Sequence, residues 1–221
     1  MEHNAVRAYK GWGMEGAIAR WYAKTTLRDI DEFKKLAVRL AEELPAGGRI
    51  LEVAPGPGYL AVELAKQDRY QVSGLDVSET FVEIARKNAE RAKVPVDFRL
   101  GNVAAMPFEA GSFDLVVCRA AFKNFFEPVK AISEMWRVLR RGGRALIIDL
   151  RRDVSPRAIR QHVDRMGVGW LNALIIKGTF RFMLLQRAYT VPEFKLFVAQ
   201  TPFLHYQIDE NDIGLELWLH K

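Results

Sequence analysis

The sequence predicts an α/β fold: a doubly wound, mostly parallel sheet of seven strands with an antiparallel C-terminal hairpin and an inserted helical lid. Three observations lead there. Apolar runs of strand length alternate with helix-length amphipathic segments between residues 29 and 150, the rhythm of βαβ units whose sheet is covered on both faces. The first run passes through the loop Ala54-Pro55-Gly56-Pro57-Gly58 straight into a helix. The last two runs are joined by Glu210-Asn211-Asp212 alone, a connection so short that the strands must pair antiparallel.

Each element has its own warrant. Ile30, Phe33, Leu36, Ala37, Leu40 and Leu44 repeat at helical spacing over 29–44, with Asp29 and Glu32 in capping-box relation and Pro45-Ala46-Gly47-Gly48 as the stop. Arg49 to Val53 reads as a short buried strand, Tyr59 to Lys66 as a helix, Tyr70 to Leu75 as a strand and Ser78 to Arg91 as a helix capped by Ser78. Strands follow near Val96 to Arg99 and at Phe113 to Cys118, then a helix from about Pro128 to Leu139 and a strand at Arg144 to Leu150. Pro128 suits a first helical turn and Gly142-Gly143 a helix exit, which leaves Arg140 and Arg141 at a helix C-terminus, where cations are favoured.

Beyond Leu150 the rhythm breaks. Ser155-Pro156 opens a helix, Trp170 to Ile176 is strongly apolar, and Thr179 to Arg187 reads as another helix. Thr190 and Glu193 form a second capping box, for a helix that ends before Pro202. Phe203 to Asp209 and Ile213 to His220 are the closing strands, with Ile213, Leu215, Leu217 and Leu219 alternating onto one face.

Composition narrows the function classes. Of 221 residues 49% are hydrophobic and 27% charged, which excludes disorder and fibrous repeats. The longest uncharged stretch of the apolar C-terminal third, Met166 to Ile176, has 11 residues, short of a bilayer span. The first residues show neither an apolar block nor a small-residue cleavage site, so a cytoplasmic location is expected. The single cysteine, Cys118, sits in an apolar run and is expected to be buried and inert. His3, His162, His205 and His220 lack ligand spacing, and no metal is expected. The net charge of +6 resides in nine arginines between Arg137 and Arg165, set against Asp149, Asp153 and Asp164. Without interleaved aromatics this reads as a solvated face.

The chemistry starts at Glu52-Val53-Ala54-Pro55-Gly56-Pro57-Gly58. Glycines at the carboxyl end of a first strand let a nucleotide lie against the main chain. Asp76, 18 residues after Gly58 at the end of the second strand, can accept both hydroxyls of a ribose. The string Gly56-x-Gly58-x-x-Ala61 also fits a dinucleotide fingerprint, so a nicotinamide oxidoreductase is an alternative. Glu52 in the first strand, the C-terminal hairpin and the pattern Gly101-Asn102-Val103-x-x-Met106-Pro107-Phe108-x-x-x-Ser112-Phe113-Asp114 weigh against it.

With these motifs, the segment from Ile50 to Leu150 resembles the class I S-adenosylmethionine-dependent methyltransferases, in particular the small-molecule branch that includes ubiquinone/menaquinone-type enzymes. Gly74-Leu75-Asp76-Val77-Ser78 resembles the ribose-binding motif, and Val138 to Gly143 the segment before the fifth strand. The resemblance implies S-adenosylmethionine as cofactor, S-adenosylhomocysteine as product, and Glu52, Ala54, Gly56, Gly58, Asp76, Val77, Asn102 and Val103 as contacts, with Arg119 and Tyr22 at the methionine end. Ala54 and Pro55 stand where the family usually has Asp or Gly, and Asn102 where it commonly has Asp; an Asn can still accept from the adenine amino group. Asp114 is expected to be structural.

The acceptor is expected beyond the first and fourth strands, with Phe122, Asn124 and Phe125 lining its pocket, Trp21 in a covering lid, and Asp149 and Arg151 as secondary candidates. No general base is evident; His162 reads as a structural histidine. The chain is expected to be one domain over 1–221: a helical cap (1–45), the cofactor-binding core (46–150), the lid (151–189), and the last helix with the hairpin (190–221). The apolar lid favours a small hydrophobic or aromatic acceptor, and its other uses would be a homodimer contact or peripheral membrane docking. An RNA or protein acceptor gripped by the arginines is the alternative substrate class.

Overall fold

A computed structural model describes residues 9–10, 13–165 and 184–221. Seven strands form one sheet in the order β3-β2-β1-β4-β5-β7-β6, with β1 at Arg49–Val53, β2 at Gln71–Asp76, β3 at Val96–Leu100, β4 at Phe113–Arg119, β5 at Leu139–Leu150, β6 at His205–Glu210 and β7 at Gly214–His220. β1 to β5 pair in parallel, while β7 runs antiparallel between β5 and β6. The strand order reverses between β1 and β4, where a crevice opens beyond the strand ends.

The helices among the described residues are α1 (Gly16–Thr26), α2 (Ile30–Glu42), α3 (Tyr59–Ala65), α4 (Glu79–Ala92), α5 (Pro128–Val138), α6 (Pro156–Arg165) and α7 (Val191–Val198), with a single helical turn at Leu185–Arg187. Strand periodicity separates two core layers. Ile50, Leu115, Val117 and Leu146 pack with Phe33, Leu36, Leu40, Leu60 and Leu64 of α2 and α3. Leu51, Val53, Val116, Cys118 and Ile147 face Ile132 and Met135 of α5 and Phe194 of α7. Cys118 is fully buried, and burial pushes its thiol far up, in keeping with the inert reading.

Two local expectations change, and one element is added within the expected helical cap. Asp29 makes no capping bond, because a short 3-10 turn at Leu27–Asp29 runs directly into α2 and holds Asp29 outside the extended conformation of an N-cap. The helix expected to reach Leu139 stops at Val138, since Leu139 already pairs with Phe113; Arg140 and Arg141 therefore lie in β5, and Gly142-Gly143 is not a helix exit. α1 is a helix where only isolated residues stood out in the sequence. By contrast Ser78 accepts from the Phe81 amide at 3.1 Å, and the Thr190/Glu193 capping box is complete. Of the expected helix Thr179 to Arg187 only the last residues are described, and the apolar run Trp170 to Ile176 lies outside the described residues. No helix among the described residues is long and apolar enough to cross a membrane.

A buried ion pair ties the loop after β4 to the end of β5. Lys123 Nζ lies 2.9 Å from Asp149 Oδ1, and Asp149 also accepts from the Lys123 and Leu150 amides at 2.8 Å. Both side chains are buried. Removing one partner leaves the other charge uncompensated, so Lys123→Met is expected to lower stability by about 3 kcal/mol in urea denaturation.

Candidate active site

The expected cofactor residues converge at the strand reversal. Four of them, Ala54, Val77, Asn102 and Val103, line one narrow cleft of about 10 Å³ together with Leu75, Gly101 and Phe125. The hub is Asp76 at the end of β2. Its carboxylate accepts from the Gly56 amide and the Ser78 amide, each at 2.9 Å, so one side chain ties the loop after β1 to the entrance of α4. Burial, opposed by these amide bonds, raises its pKa to about 6. Each oxygen keeps a lone pair for a ribose hydroxyl.

The two glycines serve different ends. Gly58, at φ 76°, begins α3, and a Cβ there would meet Phe98 at 2.7 Å and Ala85 at 2.8 Å, so its smallness lets α3 close onto α4 and β3. Gly56, at φ 54°, faces open space with only Tyr22 at 4.0 Å, the surface a ligand needs for main-chain approach. Glu52 is buried and accepts from the Ala61 amide at 2.8 Å, which holds the first turn of α3. Burial pushes its carboxyl up to about 8, against the pull of that amide and of Arg119.

Other expected residues are spread more widely. Asn102 spends one lone pair of its carbonyl on the Ala104 amide at 2.9 Å and keeps the second for the cleft. Arg119 lies over the Phe33 ring at 4.2 Å, on the α2 side of the sheet near Glu52. Tyr22 stands beside Gly56 with its ring edge-on to Phe81, whereas Trp21 is 66% exposed on the outer side of α1. Phe122 is fully buried against Phe125, Tyr189 and Phe194, so it packs beneath the site rather than lining the pocket, as the absence of any free face dictates. Asp149 is taken by Lys123 and Arg151 by Glu210. Asp114 accepts from the Arg49 amide at 2.7 Å and pairs with Arg140, the structural role expected of it. His162 lies on α6 near Arg165 and Asp212, with burial lowering its pKa.

Sequence reading missed Tyr9. It forms a bridge with Phe125, lines the cleft, and hydrogen-bonds the Asn124 side chain; burial and the Asp76 carboxylate raise its phenol pKa. No periodic pattern marks so short a pairing. At about 10 Å³ the cleft is far below the roughly 300–1,000 Å³ of ordinary ligand pockets, so an occupant of cofactor size must displace part of its lining, which includes Tyr9.

Residues 51–147 match the family model of a methyltransferase domain. The chain is 37% identical over 118 residues to a demethylmenaquinone methyltransferase of Thermus thermophilus, covering 53% of each chain. An S-adenosylmethionine-dependent methyltransferase structure from Methanococcus maripaludis superposes with a TM-score of 0.72 at 21% identity, covering 96% of this chain and 95% of that one. Residues 51–147 thus resemble a methyltransferase domain, and the chain has the fold of S-adenosylmethionine-dependent methyltransferases. It spans about half the length of the curated relatives it matches. The plantazolicin methyltransferase BpumL, crystallised with S-adenosylhomocysteine, shares the fold with a TM-score of 0.65 at 17% identity over 93% of this chain and 95% of that one.

The residues present fit the cofactor: Asp76 offers paired acceptors to the ribose, Gly56 an open main chain, and Val77 a side chain 42% exposed at the cleft. Two pH dependences follow. Only ionised Asp76 accepts from both hydroxyls, so S-adenosylhomocysteine affinity measured by calorimetry should fall as pH drops through about 6 and hold constant above it. The folded state keeps a proton on Glu52 that the unfolded chain releases, so its contribution to stability declines as pH rises between about 4.5 and 8. In Glu52→Gln, which retains an acceptor for Ala61, the thermal melting temperature should lose that part of its decline.

Proposed function

We propose that this protein is an S-adenosylmethionine-dependent methyltransferase that transfers the methyl group to a small, hydrophobic, aromatic acceptor of the quinone or hydroquinone type. The observation that carries the reading is Phe125, which lines the cleft and is backed by the aromatic cluster of Phe122, Tyr189, Phe194 and Phe197. The name of the Thermus relative, a demethylmenaquinone methyltransferase, supports it.

When bound, the cofactor supplies an electrophilic methyl on a sulfonium. The protein's own contribution is alignment and exclusion of water. Asp76 and the Gly56 loop fix the adenosyl end. Tyr22 and Asn124, beside Gly56 and after β4, flank the methionine end and the acceptor, and Phe125 forms the apolar wall between them. Trp21, on the outer side of α1, covers the site only if α1 turns. The residues of the proposed lid between 166 and 183 lie outside the described residues, and a roof over the pocket remains the use proposed for that sequence.

An RNA acceptor draws less support. Six of the nine arginines are occupied within the fold: Arg137 by Glu134, Arg140 by Asp114, Arg144 by Glu43, Arg151 by Glu210, Arg152 by Glu193 and Arg165 by Asp212. A phosphate backbone would have to compete for them.

Titration of the purified chain with S-adenosylhomocysteine and separately with NADH tests the cofactor half, and transfer of labelled methyl to hydroxylated naphthalenes tests the acceptor half. Binding of S-adenosylhomocysteine alone with labelled naphthalene product is the expected result. Binding of NADH, or transfer to RNA but to no small aromatic, would overturn the reading.

A further inference from the structure

Of the cations at the carboxyl ends of β4 and β5, Arg119 lies over the Phe33 ring on the α2 side of the sheet, and three others stand in ion pairs. Lys123 is paired with Asp149, Arg151 with Glu210, and Arg152 with Glu193. Lys10 makes no ion pair among the described residues. Its backbone amide donates to the Asn124 carbonyl at 2.8 Å, which fixes it beside the loop after β4. Its ammonium donates to the Tyr189 hydroxyl and lies 4.0 Å from the centre of that ring. Tyr189 in turn bridges to Arg151 just past β5 and packs on Phe122, Phe194 and Phe197. A half-buried ammonium with no ion pair among the described residues thus lies at the strand ends against the aromatic cluster, one residue from Tyr9 in the cleft.

The partners on offer do not neutralise it. Burial raises the Tyr189 phenol to about 12, so this hydroxyl stays protonated. Glu193 is held at 2.6 Å by Arg152 and at 2.9 Å by Thr190, and acts on Lys10 only at longer range. Burial and the Arg152 charge both press the Lys10 ammonium toward losing its proton, with Glu193 opposing them. An anionic oxygen arriving there would offset both. The Tyr189 hydroxyl shows in the fold itself that this ammonium takes a phenolic oxygen.

We propose that Lys10 is the acceptor-binding cation of this enzyme: its ammonium, with the Tyr189 hydroxyl as second donor, receives the ionisable ring oxygen of a hydroxylated aromatic acceptor. The inference rests on the aromatic-acceptor reading above and narrows it to acceptors that carry a phenol or enol oxygen. Lys10 stabilises the oxyanion form, which is the electron-rich form of such a ring, and Tyr189 orients it. Quinones without an ionisable hydroxyl gain nothing from this pair.

The test uses the full chain saturated with S-adenosylhomocysteine, and 2-naphthol and naphthalene as probes. In the wild type 2-naphthol should bind at least tenfold tighter than naphthalene, and its bound form should ionise, by absorbance, at lower pH than the free probe. Lys10→Met should erase both the preference and the shift, Lys10→Arg should keep most of each, and S-adenosylhomocysteine affinity should stay within about twofold in both, which reports an intact fold. An undiminished preference and shift in Lys10→Met overturn the role of Lys10 while leaving the aromatic-acceptor reading standing. Failure of the wild type to bind either probe, with S-adenosylhomocysteine bound, overturns that reading and the inference with it.

Discussion

Asp76 is the constraint on which the rest of the site depends. A carboxylate at the end of β2 is placed by the sheet, and its two oxygens then dictate where the Gly56 loop and the start of α4 lie. α4 carries Ser78, whose hydroxyl donates to the Met14 carbonyl at 2.9 Å, and Thr80, which accepts from the Gly16 amide at 3.0 Å. The N-terminal helix is therefore docked through the same junction. The raised pKa of Asp76 is the mark of this arrangement, since a group buried deeply enough to organise two loops is held away from the water that would favour its charge.

Two of the four non-glycine residues with left-handed backbone among the described residues stand at the ends of β1 and β4. Ala54 at the end of β1 and Ala120 at the end of β4 both take left-handed conformations, at φ 52° and 57°, without being glycine. Such a residue costs roughly 1 kcal/mol and persists only where the surroundings determine it. Ala54 is held by its amide bond to the Leu75 carbonyl at 2.8 Å, and Ala120 by its bond to the Ile148 carbonyl at 2.7 Å. These paired kinks turn the chain away from adjacent strands and leave the opening in which Phe125 and Asn102 stand.

Much of this could be read from the residues because it obeys local rules. Parallel buried strands announce themselves as apolar runs, Ser78 and Thr190 as caps, and Gly56 and Gly58 as a tight turn after the first strand. The misses share a different cause. Asp29 looked like a cap because its neighbours suited one, but the preceding 3-10 turn, a matter of how α1 meets α2, had already set the chain direction. Gly142-Gly143 looked like a helix exit, yet pairing of Leu139 with Phe113 starts β5 earlier. Phe122 carries the same sequence signal as Phe125, and only packing of α7 decides that one is sealed while the other meets the cleft. Tyr9 and Lys10 reach the site through a single bridge spanning more than a hundred residues of chain, which no periodicity can show.

The central claim is that one carboxylate builds the cofactor turn. Residue-resolved amide hydrogen exchange on the wild type and on Asp76→Ala tests it most directly. The account predicts that exchange at Gly56 and Ser78 accelerates by at least tenfold in the variant, while the amides of β1 and β4 keep their protection. Unchanged protection at Gly56 and Ser78 would show that the turn is held by something else and would contradict the account.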